Sequence, residues 1–156
     1  MDNYISTLII KFASPCNLNC TYCYEYNTGD ESWKKKPKFF SEENAKKLNG
    51  RIIEYLNTTP LSNINLICHG GEPLLLGAER LDYILSTIKK GIEDKINFGM
   101  QTNAVLVNED IIQILRKHNV KCGVSIDGNS NHNKFRVFHN GKPTYEDTLK
   151  GYKLLN

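Results

Sequence analysis

No run of apolar residues in this chain approaches the length of a membrane-crossing helix. The opening Met-Asp-Asn-Tyr lacks the basic-then-apolar order of a signal peptide. Charge of one sign is not in excess either, since 156 residues carry a formal net charge of +3, which by itself gives no nucleic-acid signal. These absences predict a cytoplasmic protein with no membrane and no nucleic-acid partner. In that compartment thiols stay reduced, so the five cysteines read as metal ligands rather than as a disulfide framework. The run Lys34-Lys35-Lys36-Pro37-Lys38 is the one local charge block. It reads as a solvated loop, with a nucleic-acid or acidic-peptide contact as the alternative.

What is present is ordinary in bulk. A hydrophobic content of 40% and a charged content of 24% suit one domain with a real core. Along the chain, strand-like and helix-like segments alternate. Strands are expected near 4–12, 64–68, 95–101 and 120–126, and helices near 41–56, 77–90, 108–118 and 144–155. Ser41-Glu42-Glu43-Asn44 has the form of a helix N-cap with an acidic first turn. Residues 24–40 read as a long polar loop. This alternation implies an α/β fold of about four βα units, with right-handed crossovers and a parallel sheet. Ligands of such sheets bind at the carboxyl ends of the strands.

The densest chemistry lies in Cys16-Asn17-Leu18-Asn19-Cys20-Thr21-Tyr22-Cys23, three thiols within eight residues at the spacing CxxxCxxC. Three thiolates are one short of the four that close a zinc or iron–sulfur site. On a 4Fe–4S cubane they would leave one iron open for a small molecule. A zinc site with His69 as fourth ligand is the rival reading, although there is no second CxxC pair. Three buried structural cysteines are the plain alternative. Cys68 and Cys122 fall inside strand patterns and read as core, and His118 reads as a partner of a helix C-terminal dipole.

With this loop after the first strand, the chain resembles the radical S-adenosylmethionine (SAM) superfamily. Three further segments carry the likeness in order: Gly70-Gly71-Glu72-Pro73, Gln101-Thr102-Asn103 and Ser125-Ile126-Asp127-Gly128. The resemblance implies a partial TIM-like (βα) barrel that binds a 4Fe–4S cluster and SAM. In the family, SAM chelates the open iron, the reduced cluster cleaves it, and a 5′-deoxyadenosyl radical abstracts hydrogen from the substrate. It further implies Cys16, Cys20 and Cys23 as cluster ligands and Tyr22 against the adenine. Gly70 and Gly71 would let backbone approach the ligand, with Glu72 fixing their loop or meeting the SAM amino group. Glu72 reads equally as a helix N-terminal carboxylate. Ser125 and Arg136 match polar SAM contacts, Arg136 suiting a carboxylate. Asn103 and Asp127 match ribose or substrate contacts, and either also suits a cap of its own turn.

Finer features resemble the SPASM-type peptide maturases, in particular Cys23-Tyr24-Glu25-Tyr26-Asn27, Asp30-Glu31-Ser32-Trp33, His69-Gly70-Gly71-Glu72-Pro73-Leu74-Leu75-Leu76-Gly77 and His132-Asn133-Lys134-Phe135-Arg136-Val137. The aspartate-to-tryptophan loop looks most like cyclophane-forming maturases, with the anaerobic sulfatase-maturating enzymes, which make formylglycine, as near relatives. The implied partners are a peptide or protein substrate and an electron donor such as a ferredoxin or flavodoxin. Family barrels have six βα units and a C-terminal SPASM domain. Residues 1–156 are therefore expected to be the radical SAM core domain without its last βα units, at the front of a longer protein or as one piece of a split enzyme. A compact four-unit domain, and a non-catalytic zinc- or peptide-binding remnant, are the alternatives.

Overall fold

A computed structural model describes residues 4–156; the first three residues of the signal-peptide reading lie outside the described residues. Strands β1 (Thr7–Ala13), β2 (Ile64–Gly70), β3 (Ile96–Thr102) and β4 (Lys121–Val124) form one sheet in the order β1-β2-β3-β4, and every pair is parallel. Helices α1 (Glu42–Thr58), α2 (Ala78–Lys89) and α3 (Glu109–Lys117) form the crossovers between them, and α4 (Tyr145–Leu155) follows β4. This is the expected α/β architecture of about four βα units, with four parallel strands and four helices.

Local chemistry sets the helix starts. Ser41 Oγ accepts from the Asn44 N–H at 3.1 Å ahead of α1, and Asn108 Oδ1 accepts from the Ile111 N–H at 2.9 Å ahead of α3, each filling a donor the first turn leaves without a partner. The strands alternate as their pleat requires. On β2 and β3 the side chains of Ile64, Leu66, Cys68, Ile96, Phe98 and Met100 are buried in one core with Ile52, Leu56, Leu81, Leu85 and Ile111 of the helices. The opposite face carries Ile9, Ile67, Gly99 and Lys121 in one row, and Ile9 remains 67% exposed there. Burying a leucine such as Leu66 or Leu85 is worth about 1.5–3 kcal/mol, so truncating either strikes the joint between helices and sheet.

Several details depart from the sequence reading, and the first strand begins at Thr7 rather than at residue 4. The fourth strand ends at Val124 rather than 126, because its partner β3 ends at Thr102 where Ala104 turns the chain with φ 61°. Residues 24–40 contain a short 3-10 turn, Ser32–Lys35, whose Trp33 stands edge-on to Tyr26 at 4.9 Å. The sequence reads His118 as a dipole partner at the end of α3, where it does stand as the C-cap. Its side chain is buried, with Nε2 at 2.6 Å from Asp82 Oδ1 on α2, and burial pushes its pKa down toward the neutral ring. Cys68 lies in the core, and Cys122, half-buried, packs against it.

Candidate functional site

The site forms where four strands end. β1 carries a register shift between Lys11 and Ala13, which lets Ala13 pair with Gly70 and brings the cysteine loop over the β2 turn. That turn fits closely. A Cβ on Gly70, at φ 129°, would meet the Ala13 carbonyl oxygen at 2.2 Å, and one on Gly71 would meet the Pro15 carbonyl oxygen at 2.2 Å. The sequence reading gave these glycines the task of admitting a ligand. The close approach they make here is to the end of β1, sealed by hydrogen bonds from Gly71 N to Ala13 O (2.9 Å) and from Glu72 N to Pro15 O (3.1 Å).

Glu72 is fully buried and faces inward. Its Oε1 accepts from the Leu74 N–H (3.0 Å) and the Thr102 hydroxyl (2.7 Å), and its Oε2 from the Asn103 N–H (2.8 Å). The carboxylate thus ties the end of β2 to the end of β3. Burial pushes its pKa up, and the three donors oppose that shift. Asn103 continues the connection, donating from Nδ2 to Asn17 Oδ1 (2.8 Å) with Cys16 Sγ at 3.9 Å. Its Oδ1 accepts from the Val105 N–H at 3.1 Å, which also caps its own turn. Ser125 accepts from the Gln101 side chain at 2.8 Å.

The far side of the cysteine loop is clasped by residues 135–139. Thr21 N donates to Phe135 O (3.0 Å) and Asn19 N to Val137 O (2.8 Å), and the His139 ring lies 3.0 Å from the Cys16 carbonyl. Arg136 donates to the Tyr22 hydroxyl at 2.9 Å, and that hydroxyl donates to Asp127, whose other oxygen is 3.9 Å from Arg136. Tyr22 remains 53% exposed as a residue. Asn133, buried, accepts from the Asp127 N–H (3.1 Å) and from its carbonyl receives the Arg136 N–H (2.9 Å), so it sets the spacing of that pair.

These turns surround a cavity of about 220 Å³ lined by Cys16, Cys20, Cys23, Tyr22, Gly70, Gly71, Asn103, Ser125 and Arg136, with His69, Tyr24 and Gln101 beside them. Glu72 and Asp127 are outside that lining, behind Asn103 and Tyr22 respectively. A larger groove of about 440 Å³ between β1 and α1 is mainly apolar and gathers no thiols. Burial pushes the Cys16 thiol up to about 11 and raises Cys20, with Arg136 opposing the shift at Cys20. Among the described residues no three Cys, His, Asp or Glu side chains share a point that would hold one metal ion. A cubane binds each thiolate at a separate iron, so it needs three sulfurs around one cavity and not at one point. The side-chain donors Asn17 Nδ2 and Arg136 Nε are buried here without partners, which suits an anionic occupant.

Sequence reasoning missed Asn17, Asn133 and His139. Asn17 carried a signal in its place beside a thiol, whereas Asn133 and His139 act across the fold and carried none.

Residues 10–156 match the family described as the radical SAM superfamily. The chain is 30% identical to a cysteine-type anaerobic sulfatase-maturating enzyme of Clostridium novyi (strain NT), over 97% of this chain and 40% of that protein. It superposes on native anSMEcpe with bound AdoMet at a TM-score of 0.81 and 26% identity, covering 97% of this chain and 40% of the other. The same maturase with bound AdoMet and a Cp18Cys peptide gives 0.77 at 27% identity, covering 96% and 39%. The chain spans less than half the length of the curated relatives it matches.

Proposed function

The chain belongs to the radical SAM superfamily, and on that premise we propose that it holds a 4Fe–4S cluster and SAM for the modification of a peptide or protein. The observation that carries this reading is the three thiols of one short loop opening into a single cavity that the other three strand ends also line. Members of the superfamily bind both groups, and the neighbouring structures hold AdoMet. When bound, the pair supplies hydrogen abstraction by a 5′-deoxyadenosyl radical.

The chain's own residues supply the hold. Cys16, Cys20 and Cys23 are the ligands of three irons. The Tyr22 ring, its hydroxyl anchored by Arg136 and Asp127, offers its face to the adenine. Arg136 keeps a free Nε–H for the carboxylate of SAM. Gly70 and Gly71 present backbone to the amino group, with Glu72 behind them fixing the turn. Ser125, Asn103 and Asp127 lie on the ribose or substrate side. Residues 1–156 belong to the radical SAM core domain in this reading, and a reducing cytoplasm keeps the thiols available.

A peptide substrate is supported by the relatives named sulfatase-maturating enzymes and by the maturase structure with bound peptide. The modification in this reading is formylglycine formation or a cyclophane crosslink, and either calls for a one-electron donor of the ferredoxin or flavodoxin type. A zinc module using His69 is less well supported, since its ligands would have to converge on one ion. Low-temperature EPR of the anaerobically reconstituted, dithionite-reduced protein, with and without SAM, is the test. A reduced 4Fe–4S signal that changes on adding SAM is expected. Zinc without a cluster signal would overturn the reading.

A further inference from the structure

Among the described residues, the hydrogen bonds that reach a cysteine sulfur all fall on Cys16. Leu18 N donates at 3.4 Å, and Asn103 Nδ2 reaches across from the end of β3 at 3.9 Å. The Asn103 amide has one orientation available. Its Oδ1 is spent on the Val105 N–H, so the NH2 end faces Asn17 and Cys16. One of its hydrogens goes to Asn17 Oδ1, and the other lies toward the sulfur. Its backbone is pinned separately, by the N–H bond to the buried Glu72 carboxylate. The Cys16 thiol also donates to Asn17 Oδ1 at 3.8 Å. That bond disappears when Cys16 becomes a thiolate ligand, whereas the Asn103 and Leu18 donors remain.

We propose that Asn103 sets the reduction potential of the cluster by donating an N–H···S hydrogen bond to Cys16. This rests on the cluster-binding reading above. A donor on a ligand sulfur draws electron density from the cluster and favours the reduced, more negative state, so such bonds raise the potential. The effect is selective for one corner of the cube, because Cys20 and Cys23 receive no side-chain donor at sulfur among the described residues. Asn103 does this without needing to touch SAM, which separates the role from a ribose contact.

The experiment uses the full chain, reconstituted anaerobically without SAM, as parent, Asn103→Leu and Asn103→Asp. The leucine variant removes the side-chain donor and leaves the backbone bond to Glu72 intact. Iron and sulfide content are measured first, then the reduction potential by EPR-monitored titration. Equal iron with the reduction equilibrium moved about tenfold toward the oxidised cluster, or ~59 mV for one electron, is expected for Asn103→Leu, with a larger move for Asn103→Asp. Equal iron and equal potential would overturn the inference while the function stands. If the parent takes up no iron, the proposed function fails instead. In that case this inference falls with it; if a variant alone loses its cluster, alkylation of the cluster-free chain decides. The rate at Cys16 relative to Cys23, read by peptide mass mapping, falls several-fold in Asn103→Leu if the donor acts on that sulfur. An unchanged ratio overturns it.

Discussion

Gly151 of α4 sits against the carbonyl oxygen of Ala104, so closely that a Cβ at position 151 would come within 1.9 Å of it. The last helix therefore rests directly on the turn that carries Asn103, and the glycine is what lets it do so.

Gly151→Ala forces α4 off that turn. The added methyl also meets the Ala104 carbonyl carbon at 2.8 Å, and backbone cannot swing aside as a side-chain end can. A loss of about 1–3 kcal/mol is expected by denaturant unfolding, despite alanine's better helix propensity. A variant as stable as the parent would mean that the helix sits farther out.

Cys20→Ala abolishes the 4Fe–4S cluster, whereas Cys122→Ala leaves it in place. Cys20 lines the cavity with the other two loop thiols, and Cys122 packs against the core behind it. Iron content of the reconstituted variants reads the difference, and equal content in the two would refute it.

Glu72→Ala destabilises the fold by about 3 kcal/mol, because the Leu74 and Asn103 N–H groups and the Thr102 hydroxyl lose their acceptor in a buried place. Glu72→Gln keeps an acceptor oxygen and costs less. Chemical denaturation of both variants checks the order.

The Asp82–His118 contact predicts a pH limb. Burial lowers the His118 pKa, so the unfolded chain binds more protons than the folded one as pH falls through the unfolded value of about 6.5. Stability is lost in that direction. Lys117 and His118 lower Asp82 as well, and its contribution goes at still lower pH. Glu72, whose pKa burial raises, has the opposite sign: its contribution is present at low pH and lost as pH rises. The His118→Gln variant therefore provides the comparison. The difference in unfolding free energy between parent and variant should shrink between pH 7 and 5.5, and a constant difference would remove His118 as the cause.

The sheet was legible because apolar residues hold every second position, Ile64, Leu66 and Cys68 on β2 and Ile96, Phe98 and Met100 on β3, although Ile67 interrupts the alternation on β2. The thiol loop was legible because its ligands are neighbours in the chain. The connections between turns were not legible. Glu72 and Asn103 are 31 residues apart, and nothing in either segment says that a carboxylate of one caps the backbone of the other. The glycine pair was visible, but the surface it packs on was not. A close approach to ligand and a close approach to Ala13 and Pro15 ask for the same residue. The partner of His118 was missed for a similar reason, since Asp82 lies on a different helix.

The clasp over the cysteine loop has a consequence in time. His139 and Cys16 are separated by 123 residues, so the ribosome makes the thiols long before it makes their cover. At about 5–20 residues per second, roughly 6 to 25 seconds pass between the two. During that interval the nascent loop is open to iron delivery and equally to oxidation. Whatever shields the thiols in that interval cannot be residues 135–139, which do not yet exist.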